Sequence, residues 1–189
     1  YTDGSCVHPT DRVIRRAAWA AIGPAPRFEV VASAPVFGEQ TIGRAELSAL
    51  VWAHRCSPQQ VVVDAQYLVT ALAATGRPGP EHLHGDNGDL WALLVAEVRP
   101  IWVKAHLTRE EAQGLGFPDD HWLGNDAADK AASVLAKSLL PPQHLLAARQ
   151  QDTQLAGTLQ EVISGIQLAA ITANRTVRHV ARRVHKPLW

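Results

Sequence analysis

The 189-residue chain contains no methionine, only two cysteines and few aromatic residues (6%). No apolar run approaches the roughly 18 residues that span a bilayer, which excludes a transmembrane helix. No secretory leader pattern stands at the start. Cys6 and Cys56 have neither the spacing of a metal-binding pair nor the number of a disulfide framework. A reducing, intracellular compartment, nuclear or cytoplasmic, is therefore expected. Methionine is missing even at position 1, so the chain is expected to be a piece of a longer polypeptide that opens inside a strand, with any targeting signal outside it. A formal net charge of zero excludes a global attraction to polyanions.

What charge there is lies unevenly. Residues 1–140 hold 12 basic and 16 acidic side chains, a balance of −4, and residues 141–189 hold 6 and 2, a balance of +4. An acidic body with a basic tail points to a carboxylate-rich site in one part and a polyanion-facing surface in the other. Length and a 47% hydrophobic share suit one globular domain, residues 1–140, with an appendage, residues 141–189.

Periodicity orders the body. Tyr1–Val7, Ala17–Ile22 and Phe28–Val36 read as strands, the last two separated by the turn signal GPAPR. Arg44–His54 reads as a helix, with Leu47, Leu50, Val51 and His54 on one face. Gln60–Val63 is a short apolar run of the kind buried on both sheet faces. Tyr67–Ala74 and Leu90–Val98 read as helices, Ile101–Val103 as a strand, and Asp120–Leu139 as a longer helix closed by Pro141-Pro142. Strands that meander and then alternate with helices predict an α/β fold, a mixed sheet covered by helices. Beyond Pro142, Leu155, Leu159, Val162, Ile163, Ile166 and Ala170 keep a helical period. Arg175, Arg178, Arg182 and Arg183 then form a basic stripe opposite Val177, Val180 and Val184. That tail reads equally as a solvated amphipathic helix or as a nucleic-acid arm that neutralises phosphates.

Four acids stand at telling places. Asp3 lies in the opening YTDGS, Glu46 at the start of the first helix, Asp64 at the end of VVVD, and Asp129 in GNDAADKAA. The first three have ordinary readings: Asp3 as a turn residue, Glu46 as a charge favoured by the helix dipole, Asp64 as a helix N-cap. Adjacent central strands can instead bring Asp3 and Asp64 side by side, with a packed helix lowering Glu46 onto them. Crowded carboxylates stay ionised only beside cations. Hard oxygen ligands favour Mg²⁺ or Mn²⁺, and two such ions roughly 3.5–4 Å apart form a clamp suited to phosphodiester cleavage.

YTDGS, GRAELSAL, VVVDAQYL, NGDLWALL, IWVKAHLT and GNDAADKAA, in this order, resemble the type 1 ribonuclease H family, including the RNase H domains of reverse transcriptases. The resemblance covers about residues 1–140. It implies a five-stranded mixed sheet of order 3-2-1-4-5 with helices on both faces. It implies an endonuclease that cleaves the RNA strand of an RNA–DNA hybrid, leaving a 3′-hydroxyl and a 5′-phosphate, with two Mg²⁺ or Mn²⁺ ions as cofactors. By resemblance, Asp3, Glu46, Asp64 and Asp129 are the metal-binding carboxylates. His106 matches a mobile histidine that helps proton transfer and product release, a task suited to imidazole. Asn125 matches an asparagine that touches the RNA. Gly4 and Ser5 follow the first carboxylate, Gly4 letting the backbone approach a ribose 2′-hydroxyl, and Gln66 touches bases or sugars.

The pattern also departs from the family. TIGRAE places Ile42 and Gly43 where members often carry asparagines, and Ala65 replaces a serine. GRPGPEHLHGDNG is short and nearly neutral, without the basic handle of cellular members. A reverse transcriptase domain in the same, retroelement-type polypeptide is therefore the expected partner. A degenerate module that keeps the fold and only binds is the alternative; a DNA nuclease or integrase on the same fold fits the KAH loop and the last motif less well. Asp126 competes with Asp129, three residues earlier on the same helix. His106 and His121 lack the cysteine pair a zinc site would want nearby. Trp19, Trp52, Trp91, Trp102 and Trp122 suit core or core-edge positions rather than base-stacking platforms.

Overall fold

Strand β1 (Thr2–Val7) lies at the middle of the sheet because its first residues, Thr2, Asp3 and Gly4, are all buried. The computed structural model describes residues 1–56 and 60–184, with side chains described as far as 175. β1 pairs antiparallel with β2 (Arg16–Ile22), placing Asp3 opposite Ala20 and Gly4 opposite Trp19. β2 in turn pairs antiparallel with β3 (Val30–Pro35). On its other side β1 runs parallel to β4 (Val62–Val63), and β4 runs parallel to β5 (Ile101–Trp102). The order is 3-2-1-4-5, the mixed five-stranded arrangement that the resemblance implies.

Helix α1 (Ile42–Arg55) covers one face. Thr41 caps it by accepting the Arg44 N–H, and Leu47, Leu50 and Val51 enter a core with Val61, Val63, Leu68, Leu72 and Trp91. Each fully buried leucine there contributes about 1.5–3 kcal/mol relative to exposure. Ala17, Trp19 and Ala21 of β2 meet Ala45 and Ala49 on the same side. Ala18 and Ala20, which point the other way along the strand, are wholly buried, as are Ala128, Ala132 and Ala136 of α6 (Asp119–Ser138). The second helical layer therefore rests on the sheet through methyl groups. Gly124 belongs to this seam, since a Cβ there would collide with the Tyr1 ring.

Three expectations need correction. The predicted helix over Leu90–Val98 shrinks to α4 (Gly88–Trp91). Trp91, Leu94 and Val98 are buried and mimic a helical period, yet the Val98 N–H donates to the Gly76 carbonyl, and Pro100 ends the segment in extended backbone. Two short helices lie where the sequence reading assigns no element: α3 (Pro80–Leu83) and α5 (Arg109–Gly114), the latter opened by a capping box between Thr108 and Glu111. β3 starts at Val30 rather than Phe28, whose φ of 47° breaks the strand. Helix α2 (Gln66–Leu72) follows β4 closely and starts from Ala65 with no side-chain cap, so Asp64 is not an N-cap.

The chain divides into two compact units, Tyr1–Leu140 and Pro141–Trp189. The second is described by one helix, α7 (Gln143–Val184), whose 42 residues extend about 63 Å at 1.5 Å per residue. Leu155, Leu159, Val162, Ile163 and Ile166 are exposed on it. Arg178, Arg182, Arg183 and the valines opposite them fall where side chains are not described. No described helix is long and apolar enough to cross a membrane.

Candidate active site

β1, β4 and α1 converge at one end of the sheet. Asp3 is the second residue of β1 and only 5% exposed, Asp64 is the first residue beyond β4, and Glu46 sits just past the first turn of α1. One carboxylate oxygen from each lies within 4.8 Å of the other two. Asp3 is thus buried in a central strand, not placed at a turn. Among the described residues no lysine or arginine forms an ion pair with any of the three.

Burial and mutual repulsion decide the protonation. Burial, then Asp64, Asp129 and Glu46, push the Asp3 carboxyl up to about 9, against a lowering hydrogen bond from the Gly4 N–H to Oδ1 at 2.6 Å. Burial and Asp64 push Glu46 up to about 7. Burial also raises Asp64, with the Asn125 amide and His106 acting against it. Without a cation the cluster therefore retains protons at neutral pH.

Gly4 has a visible reason. A Cβ at that position would stand 2.5 Å from the Glu46 backbone nitrogen and 2.7 Å from the Ala45 methyl. The missing side chain lets α1 approach β1, and that approach brings Glu46 to Asp3. The Gly4 N–H donates to Asp3 Oδ1.

Asp129 lies outside the tight trio, ten residues after the start of α6, yet close enough to raise both Asp3 and Asp64. Asp126 behaves differently. It pairs with Lys130 at 2.6 Å and does not figure among the groups acting on Asp3. Asn125, 7% exposed, directs Nδ2 toward Asp64 Oδ2 at 3.5 Å, while its Oδ1 has no partner among the described residues. Asp64 is held from behind as well, its carbonyl accepting the Trp102 indole N–H at 3.1 Å.

His106 is exposed on the loop between β5 and α5, with φ at 54°. The loop is fixed by the Trp122 indole donating to the Leu107 carbonyl at 2.9 Å. A small cavity there is lined by Lys104, His106, Asn125, Asp126 and Asp129. Ser5 is half-buried in β1, and Gln66 is exposed at the start of α2. Sequence reasoning passes over Arg44 as a site-building residue; it is 8% exposed and tied to the loop before α1 and to the α4 segment.

A family model described as RNase H matches residues 1–137. No curated protein matches the chain. Among solved structures, the chain is similar to the prototype foamy virus protease–reverse transcriptase, with 20% identity and a TM-score of 0.48, over 70% of this chain and 20% of that one. It is also similar to the PFV RNase H domain in solution, with 17% identity and a TM-score of 0.45, over 71% and 93% of the two chains. A foamy viral protease–reverse transcriptase in complex with dsDNA is a third, at 15% identity, a TM-score of 0.44, and 70% and 91% coverage. The chain spans about a fifth of the first of these.

Proposed function

The chain belongs to the RNase H family, and from that premise we propose that residues 1–140 are a metal-dependent endonuclease acting on the RNA strand of RNA–DNA hybrids. The observation that carries this reading is the convergence of Asp3, Glu46 and Asp64 from three distant parts of the chain, with no lysine or arginine paired to them among the described residues. Buried carboxylates left so are costly, and a donor set of hard oxygens fits Mg²⁺ or Mn²⁺. Asp3, Glu46 and Asp64 would hold such ions, with Asp129 adding charge from α6. Two bound ions would supply neutralisation of the phosphodiester and a nucleophile at neutral pH.

The chain's own residues do the rest. The trio would set where the scissile phosphate sits, beside the start of β1 and the end of β4. Asn125 holds the Asp64 carboxylate, and the Trp102 indole holds its backbone. His106, exposed and lining the same small cavity as Asp129, would carry a proton away and help release the product. Ser5, two residues past Asp3 on β1, and Gln66, two residues past Asp64 at the start of α2, would contact the sugars or bases of the hybrid. Ile42 and Gly43 bring no polar side chain to that surface, so a reverse transcriptase domain is the proposed partner that grips the duplex.

The test is incubation of the purified chain with labelled RNA–DNA hybrid in Mg²⁺, Mn²⁺ or chelator, beside Asp64→Asn. Cleavage is expected only with metal, only in the RNA strand, and lowered at least about 100-fold in the variant. Cleavage surviving in chelator rejects the mechanism. No cleavage with either metal moves the chain to the binding-module reading.

A further inference from the structure

Glu46 has a peculiarity among the three clustered acids. Asp3 accepts from the Gly4 N–H, and Asp64 accepts from Asn125, but among the described residues no hydrogen bond is made to the Glu46 carboxylate. Its place is set by the backbone of the first turns of α1, so whatever fixes that backbone fixes Glu46.

Two residues earlier in the same helix, Arg44 is tied at every level. Its N–H donates to Thr41 Oγ1 at 3.2 Å, and its carbonyl accepts the Ser48 hydroxyl at 2.7 Å. Nε donates to the Phe37 carbonyl at 2.6 Å, which holds the loop between β3 and α1. Nη1 donates to Asn87 Oδ1 at 3.1 Å and to Asp89 Oδ1 at 2.8 Å, and Nη2 donates to Asp89 Oδ2. Asn87 and Asp89 belong to the α4 segment, more than 40 residues away in sequence. That segment is itself anchored, because Trp91 is buried, His82 stacks on it with ring centroids 4.9 Å apart, and Tyr67 meets it edge-on. Tyr67 then returns to α1, its hydroxyl donating to the Gly43 carbonyl at 2.7 Å.

We propose that Arg44 and Asp89 form a clamp whose function is to position Glu46 for the metal. Arg44 is a positioning residue that acts through the backbone of α1, and the α4 segment is the fixed point it pulls against. A planar guanidinium with both carboxylate oxygens of Asp89 sets an angle as well as a distance. Lysine at this position would keep the charge and lose the angle. The inference rests on the proposed metal role of Glu46 and extends it to a second tier of residues, of the kind whose loss typically weakens metal binding 10–100-fold.

The decisive variant is Asp89→Asn in the full chain, with Asp89→Glu as the conservative rescue. Asp89 is 61% exposed and far from the cluster in sequence, so its replacement does not alter the proposed ligands. Mn²⁺ affinity is measured by calorimetry without nucleic acid, and kcat and KM are measured on the hybrid, at a temperature where circular dichroism shows every variant folded. Asp89→Asn is expected to weaken Mn²⁺ binding about tenfold and to lower kcat similarly, with KM changed less than about twofold. Asp89→Glu is expected to recover most of both. A merely architectural pair would lower the melting temperature and leave the Mn²⁺ affinity of the folded protein unchanged, which overturns the proposal. A rise in KM alone would also overturn it, since it would place the pair against the substrate. If Asp89→Asn does not fold, Asn87→Ala carries the same prediction at about threefold. A wild-type chain that binds Mn²⁺ but cleaves no hybrid sinks the nuclease reading and leaves the clamp to be decided by the Mn²⁺ shift. A wild-type chain that binds no Mn²⁺ sinks the clamp.

Discussion

Arg44 and Glu46 stand two residues apart on one helix, and both are charged groups largely withdrawn from water. Around Arg44 the protein supplies the Phe37 carbonyl, the Asn87 amide oxygen and the Asp89 carboxylate in matching geometry. Around Glu46 it supplies Asp3 and Asp64, groups of the same sign, and among the described residues no lysine or arginine pairs with them. A compensated buried charge is a finished piece of architecture. An uncompensated cluster is shaped for something of opposite charge and is maintained at the expense of stability. The difference separates scaffold from site without any appeal to ancestry.

The contrast can be broken most forcefully from the compensated side. Arg44→Met keeps the length and removes the donors, stranding the Phe37 carbonyl and the Asn87 side chain. It is expected to destabilise the body by about 2 kcal/mol, read as a shift in the urea midpoint at constant slope. The uncompensated side should respond with the opposite sign. Asp3→Asn removes a carboxyl that must take up a proton to be buried at pH 8, so the metal-free protein is expected to gain about 1 kcal/mol there. Asp3 holds its proton up to about 9 in the folded chain against 3.8 unfolded. The folded state therefore binds more protons in between, and wild-type stability falls as pH rises through that window. The advantage of Asp3→Asn should thus vanish near pH 4, and thermal melts at pH 4 and pH 8 in chelator would show it; a variant less stable at pH 8 would break the comparison.

The smallest expected effect sharpens it. A cation must displace protons from Glu46, at about 7, and from Asp3, at about 9. Mn²⁺ affinity should therefore rise by up to about tenfold per pH unit for each proton released between pH 6 and 8. Calorimetry in buffers of different ionisation enthalpy would count those protons. An affinity flat across that range would mean the ion binds elsewhere.

Much of this is legible in the amino-acid sequence, because the relevant signals are local. VVVD ends a doubly buried strand, and its terminal acid comes out at the strand end. GRAEL puts Glu46 on α1 with Leu47 and Leu50 as its core anchors. What is not legible depends on distant partners. Arg44 looks like any surface arginine near a helix start until Asn87 and Asp89 are brought to it. Leu90–Val98 has a helical period, but its backbone is claimed by Gly76 and turned by Pro100. Gly4 stands out in YTDGS, yet its neighbour is a helix backbone, which no short-range pattern announces. The capping box Thr108-Arg109-Glu110-Glu111 is a readable helix start, but only six residues of helix follow it, too few to carry a period.

The alanine seam under α6 has a consequence for the chemistry. With Ala18 and Ala20 on one side and Ala128, Ala132 and Ala136 on the other, nothing compressible separates helix from sheet. The seam works as a spacer of fixed gauge. One extra methyl at Ala132 would tip α6 outward and carry Asp129 away from Asp3, so a residue that touches neither phosphate nor ion would still tune how strongly the fourth carboxylate is felt.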